Sequence, residues 1–325
     1  MLKRPWTLEE TTWLRQHYPK RPRKQVTELF ANHFGYTRGF ASITLKARML
    51  GLVTEPHAVT ASLLSRPQTQ RKLAWDAIPR YTAFERLTGE YAICSDLHVP
   101  KVDPTMVNHF CQTAKRFGLT RCMILGDFFD QNAFSHWVQV GLQPADVPFG
   151  DEIVYAAQVF ETLLGQFNHI ACMRGNHDDR ILRLLRFSLE LRDVYAMVGK
   201  RVAERLQAHL AQALVVSEYP FCHLNETWFC AHPNTYSKIP GSVARDVAET
   251  EGMSTIMGNG HLLSMSRDKS DRYWAVDSGC LVDPLKVYYK VFNVKRFPRW
   301  QQGFVILKQN LPMVFHRAHL EGGWP

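Results

Sequence analysis

Five short segments carry, in chain order, carboxylates, imidazoles and amides at spacings that suit divalent cations: Asp96-Leu97-His98, Gly126-Asp127-Phe128-Phe129-Asp130, Gly175-Asn176-His177-Asp178, His232, and Gly258-Asn259-Gly260-His261. Carboxylate and carboxamide oxygens and neutral imidazole nitrogens are the ordinary ligands of such ions. Two divalent ions about 3.5 to 4 Å apart can acidify a water and hold the non-bridging oxygens of a phosphate ester. Each segment also has a plainer reading. Asp96 and Asp127 suit helix or turn caps, His98 a surface position and His232 a buried core position; the tetrapeptide at 175–178 is the most specific of the five.

An apolar run precedes most of the segments, Tyr91-Ala92-Ile93-Cys94, Cys122-Met123-Ile124-Leu125, Ile170-Ala171-Cys172-Met173 and Trp228-Phe229-Cys230-Ala231, and the run Ser254-Thr255-Ile256-Met257 precedes the last. Runs of four such residues predict short buried strands, so the polar side chains would stand at strand ends. Asp96 and His98, two apart in extended chain, would share a side. Gly126 lets the chain turn so that Asp127 can point at the ions.

In motif order and motif chemistry, residues 89 to 325 resemble the calcineurin-like metallophosphoesterases, and in detail those met in phages and prophages. The resemblance implies a four-layer α/β/β/α sandwich. It also implies a two-metal hydrolase of phosphate esters, in which a hydroxide shared by the ions attacks phosphorus in line. By resemblance Asp96, His98 and His261 ligate the first metal, Asp127 bridges both, and Asn176, His232 and Asn259 ligate the second. His177 would protonate the leaving oxygen, with Asp130 setting its orientation.

Two departures stand out. The family's last motif is Gly-His-x-His, and Asn259 occupies its first histidine. The competing alignment starts at Gly260-His261 and leaves Leu263 as the replaced residue; the first is preferred because an amide can ligate and leucine cannot. Pro233 follows His232 where the family usually has glycine, and it removes a backbone donor. The oxygen-rich second site favours Mn²⁺, then Mg²⁺, with Fe or Zn²⁺ as alternatives, and Asn259 would weaken its hold. Arg180 and His136 are candidate contacts for substrate phosphate.

The 325 residues bear a formal charge of +9. Residues 1 to 55 hold ten Lys or Arg and four Glu, a net of +6, which leaves +3 for the other 270. A basic segment of this kind is an electrostatic footprint for nucleic acid; the plainer reading is a solvated basic surface. Thr7-Leu8-Glu9-Glu10 reads as a capping box, predicting helices near 7–17, 23–34 and 39–50, the last with Phe40, Ile43, Ala47 and Leu50 on its inner side. Three short helices with an aromatic core resemble a helix-turn-helix or Myb-like module. Arg38, Ser42, Lys46 and Arg48 would be its nucleic-acid contacts. Residues 56 to 88 read as a linker packing on the core, with a helix through Leu73, Trp75 and Phe84.

Residues 180 to 212 predict one long helical insertion rich in arginine, a lid over the site or a cover for one sheet face. Strand-like runs near 273–282, 287–294 and 303–308 are expected to complete the second sheet. Seven scattered cysteines read as free thiols, and the sequence has no apolar stretch of membrane-spanning length or signal-peptide pattern, so a cytoplasmic protein without membrane contact is expected. The substrate expected first is a nucleic-acid phosphodiester. A phosphomonoesterase acting on phosphoproteins or nucleotides, and a DNA-binding regulator with a decayed metal site, are the alternatives.

Overall fold

Each apolar run that precedes a candidate ligand is a strand in the computed structural model, which describes residues 5–19, 23–52, 82–143, 145–292 and 300–321. The chain divides into two units, Met1–Arg80 and Tyr81–Pro325. In the larger unit the strands are β1 Arg86–Leu87, β2 Tyr91–Cys94, β3 Arg121–Leu125, β4 His169–Met173, β5 Leu214–Val216, β6 Phe221–Leu224, β7 Trp228–Ala231, β8 Ser254–Met257, β9 Leu263–Arg267, β10 Trp274–Ser278, β11 Gly303–Lys308 and β12 Leu311–His316. Among the described residues they form two six-stranded sheets, ordered β12-β11-β2-β3-β4-β5 and β1-β6-β7-β8-β10-β9.

Alternation along the strands explains the layers, because neighbouring side chains leave a strand on opposite faces. Tyr91, Ile93, Met123, Leu125, Ala171 and Met173 of the first sheet meet Cys222, Leu224, Trp228, Cys230, Ile256 and Val276 of the second in one buried cluster. The alternate residues Ala92, Cys94, Cys122, Ile124, Ile170 and Cys172 face the other way, against helices Pro104–Arg116 (α4) and Phe149–Leu164 (α5). On the outer face of the second sheet, Ala244 and Ala248 of helix Ser242–Glu251 cover Met257 and Ala275. The result is an α/β/β/α sandwich. Each large apolar side chain fully buried between its layers contributes about 1.5 to 3 kcal/mol.

β2, β3 and β4 are parallel, with Cys94 opposite Ile124 and Ile124 opposite Cys172. Their carboxyl ends therefore lie along one edge, where open α/β sheets place their ligand sites. In the second sheet β7 and β8 are parallel, with Ala231 opposite Met257.

Several expectations need correction. The run at 303–308 is β11, which pairs with β2 in the first sheet rather than the second. The aromatic run at 287–292 is helical, Tyr288–Phe292; it follows a single turn capped by Asp283, and Val287 packs beside Cys280, Val282 and Trp300. The arginine-rich insertion is three helices, Asp179–Leu184 (α6), Leu191–Gly199 (α7) and Glu204–Ala213 (α8). It breaks where Arg186 and Phe187 take φ of 52° and 56°. Ile181, Leu182, Val194, Val198 and Leu210 join the cluster on the outer face of the first sheet, so these helices cover that face. The helix expected through Leu73 and Trp75 lies outside the described residues. Arg86 and Leu87 pair with β6, which puts the end of the expected linker inside the second sheet.

In the smaller unit the helices are Leu8–His17 (α1), Arg23–Phe34 (α2) and Phe40–Met49 (α3). The capping box forms, with the Thr7 amide donating to Glu10 Oε2 at 2.7 Å and the Glu10 amide to Thr7 Oγ1 at 3.1 Å. Trp13, Leu14, Val26, Phe30, Ile43 and Ala47 make the core. Phe40, expected on the inner side, is 47% exposed.

Candidate metal centre

The strand-end loops bring the candidate side chains together in a strained backbone. Asp96, His98, Asp127, Asn259 and His261 all have left-handed φ, from 47° to 73°, a conformation that costs a non-glycine residue energy and persists where the surroundings impose it. Glycine is required beside them. A Cβ on Gly175 would stand 2.0 Å from the Asp127 amide nitrogen, and one on Gly126 would stand 2.6 Å from the His232 ring.

Among the described residues three overlapping groups of ligand atoms result: Asp96, His98 and His261; Asp96, Asp127 and His232; and His98, Asp127 and His177, all buried except the half-buried His177. His261 Nε2 lies 3.0 Å from Asp96 Oδ1 and 3.1 Å from His98 Nε2. This places His261 beside the Asp-x-His pair, while Leu263 begins β9. His232 Nε2 lies 3.4 Å from Asp127 Oδ2 and 3.2 Å from Asn176 Oδ1.

Hydrogen bonds fix which ring nitrogens face inward. His232 Nδ1 donates to the Leu125 carbonyl at 2.7 Å, and His98 Nδ1 meets Asp130 Oδ1 at 3.2 Å, so in the neutral rings the Nε2 lone pairs point into the cluster. A carbonyl or carboxylate behind a ligating imidazole is the usual supporting arrangement. Asp96 Oδ1, with His261 Nε2 at 3.0 Å and His98 Nε2 at 3.7 Å, is buried and makes no hydrogen bond. Convergent acceptors around an orphaned carboxylate oxygen are what a cation satisfies, and the donor set of oxygen and imidazole nitrogen fits divalent metals.

Burial works against ionisation of Asp96 and Asp127, and the facing histidines overcome it, holding both carboxyls well below the usual range. Burial lowers His98 and His232, but the surrounding carboxylates outweigh it and push them up to about 10 and about 9. Protons and cations compete for these nitrogens, because a ligating imidazole must be neutral.

His177 stands at the rim. Its Nδ1 meets Asp130 Oδ1 at 3.0 Å, and its Nε2 accepts from the Arg180 guanidinium at 3.0 Å. Arg180 also donates to the Asp130 carbonyl at 2.6 Å, so its guanidinium is already engaged by the site. His136 is exposed at the start of the helical turn His136–Gln139 and its ring packs on Trp137; the structure does not bring it to the cluster.

Asn259 also has a structural contact of its own. Its side-chain nitrogen donates to the carbonyls of Pro233 and Thr235 at 2.7 and 2.9 Å. Turning the amide over would press its oxygen against two carbonyl oxygens, so the orientation is chemically determined and only Oδ1 remains for an ion. The side chain pins the loop after His232, and its backbone amide donates to Asp96 Oδ2 at 2.9 Å.

Other participants escaped the sequence reading. Asp178 accepts from the amides of Asp127, Phe129 and Gly175 at 3.0, 3.0 and 2.8 Å. It ties two strand-end loops together, and burial with the nearby Asp127 charge pushes it up to about 7. Ser95 donates to Asp96 Oδ2 at 2.5 Å, Trp300 packs on the His261 ring, and Lys101 contacts Asp130. The signal for Asp178 was its place in the tetrapeptide; nothing in the spacing marks Lys101 or Trp300.

Two of the solved structures to which the chain is similar illustrate the likeness. One is that of YfcE, a phosphoesterase from E. coli, 12% identical over 69% of this chain and 91% of that one, with a TM-score of 0.34. The other is TT1561 of Thermus thermophilus, 11% identical over 70% and 98%, with a TM-score of 0.34. Likenesses this distant carry no argument about activity. No protein-family model and no curated protein matches the sequence.

Of the nucleic-acid candidates, Arg38 is engaged within the smaller unit. Its guanidinium forms an ion pair with buried Glu10 at 2.8 Å, donates to the Pro5 carbonyl and lies over the Trp6 ring, so it holds the small unit together. Burial alone would raise Glu10; Arg38, the Tyr36 hydroxyl and the Thr7 amide bring it down to about 2. Ser42 and Lys46 are half-buried on α3, and Arg48 is exposed.

Proposed function

We propose that this chain is a metal-dependent phosphoesterase that hydrolyses phosphodiesters of nucleic acid. The observation that carries this reading is the convergence of Asp96, His98, Asp127, Asn176, His232 and His261 at five strand ends, with Asp96, His98, Asp127 and His261 on strained backbone and His177 oriented beside them. Asp96, His98, His261 and Asp127 would hold one ion, and Asp127, Asn176 and His232 a second, with the Asn259 oxygen as a further candidate. Bound there, divalent cations such as Mn²⁺ supply Lewis-acid polarisation and a more acidic water.

The chain's own residues handle the proton. Hydrolysis adds water across the phosphorus–oxygen ester bond, so the attacking water loses a proton and the departing oxygen gains one. The Asp130 carboxylate accepts from His177 Nδ1, which leaves Nε2 to carry that proton. An incoming phosphate competes for the Arg180 guanidinium and frees Nε2 for the leaving oxygen. The net +6 of residues 1–55 and the exposed end of α3 support nucleic acid as the substrate class.

Hydrolysis of labelled DNA, bis-p-nitrophenyl phosphate and p-nitrophenyl phosphate, assayed side by side with Mn²⁺, tests the reading, with Asp127→Asn as the blank. Cleavage of both diesters that disappears in the variant is expected. Cleavage of the monoester alone would show a phosphomonoesterase, and no cleavage of any substrate would overturn the assignment.

A further inference from the structure

Lys101 is a buried cation outside the ligand set, its side chain only 7% exposed. Its ammonium lies 2.6 Å from Asp130 Oδ2 and 2.5 Å from Asp146 Oδ2. The other oxygen of Asp130 serves two imidazoles, His98 Nδ1 at 3.2 Å and His177 Nδ1 at 3.0 Å. The two oxygens of one carboxylate thus face in different directions with different partners, and rotating the group would break three contacts at once. We infer that Lys101 is a positioning residue: by holding Oδ2 it fixes the Asp130 carboxylate, and through it the orientation of His177 at the rim and His98 within the cluster.

The physical argument is one of satisfaction. A buried carboxylate left with a bare oxygen turns toward whatever donor is near, because an unpaired charge in a low-dielectric interior is costly. Without the ammonium, Asp130 has only the two imidazoles and the Arg180 guanidinium beside it, and both oxygens compete for them. Asp146 lies on the loop that follows, tied to Asn132 by its backbone amide at 3.0 Å. The same lysine therefore has two arms, one to the site and one to the loop, and they are separable by mutation.

The inference rests on the phosphodiesterase reading for its kinetic test and stands apart from it in a spectroscopic one. Thymidine 5′-(p-nitrophenyl) phosphate releases p-nitrophenolate, which departs without a proton, whereas thymidylyl-thymidine releases a sugar oxygen that needs one. Lys101→Met is expected to lower turnover of the dinucleotide at least tenfold more than that of the nitrophenyl ester, and His177→Gln is expected to show the same imbalance. Asp146→Asn, which cuts only the loop arm, is expected to show no such difference. In ¹⁵N-histidine spectra, Lys101→Met is expected to lose or shift the Nδ1–H signals of His98 and His177, while that of His232, held by the Leu125 carbonyl, stays in place. Equal losses on both substrates with unchanged imidazole signals would overturn the inference, as would Asp146→Asn reproducing the Lys101→Met pattern. If the wild-type chain cleaves neither diester, the phosphodiesterase reading fails and the imidazole signals alone decide for or against Lys101.

Discussion

Single side chains at this site are controlled by what stands behind them. His232 is turned by a carbonyl, His98 and His177 by one carboxylate, and Asp178 by three amides. The candidate ligands could be picked out in the sequence because metal chemistry restricts residue types and strand ends restrict spacing. Their supports were not, since a lysine holding a carboxylate from a neighbouring loop obeys no fixed spacing. Glu152 is a further support, accepting from the Gln131 amide at 2.8 Å. Burial pushes its carboxyl up to about 8 from an ordinary 4.5. The folded state then binds more protons than the unfolded between these values, so the contribution of Glu152 to stability falls as pH rises from about 4.5 and levels off above about 8. One pKa unit is about 1.4 kcal/mol, so the cost reaches a few kcal/mol. Urea unfolding of Glu152→Gln and wild type across this window is expected to show the variant gaining relative stability as pH rises; parallel curves would refute the assignment.

Elements place those side chains through sheet register and tight loops. The helices of the smaller unit were readable to within a residue or two, because a capping box and periodic aromatics are local signals. The run at 287–292 was misread for a non-local reason, the packing of Val287 against Cys280 and Trp300. The sheet to which 303–308 belongs is likewise decided by pairing with a strand some two hundred residues earlier, which periodicity cannot express. The loop after β4 must pass against Asp127 without a side chain at 175, since a Cβ there would overlap backbone. Gly175→Ala is therefore expected to cost at least about 1 to 3 kcal/mol and to abolish high-affinity Mn²⁺ binding. Thermal unfolding with and without Mn²⁺ measures both; a variant as stable as wild type and equally stabilised by the ion would contradict the close approach.

At the scale of the whole molecule, charge is concentrated in the smaller unit while the chemistry resides in the larger one. No helix among the described residues is long and apolar enough to cross a membrane. If the basic unit supplies nucleic-acid affinity, binding of DNA weakens steeply with salt, because phosphate contacts release counterions. Removing residues 1–80 is expected to flatten that salt dependence while leaving turnover of bis-p-nitrophenyl phosphate within about threefold of the full chain's; fluorescence anisotropy across a salt series reads the first, and an unchanged slope would remove this unit from substrate binding. The central claim is that five strand ends build a site for two ions. The most direct test is Mn²⁺ titration of the metal-stripped full chain by calorimetry with elemental analysis. The account predicts two ions per chain, one lost in His261→Ala or His232→Ala and neither held tightly in Asp127→Asn. Failure of the wild-type chain to bind Mn²⁺, Mg²⁺, Fe²⁺ or Zn²⁺ stoichiometrically would contradict it.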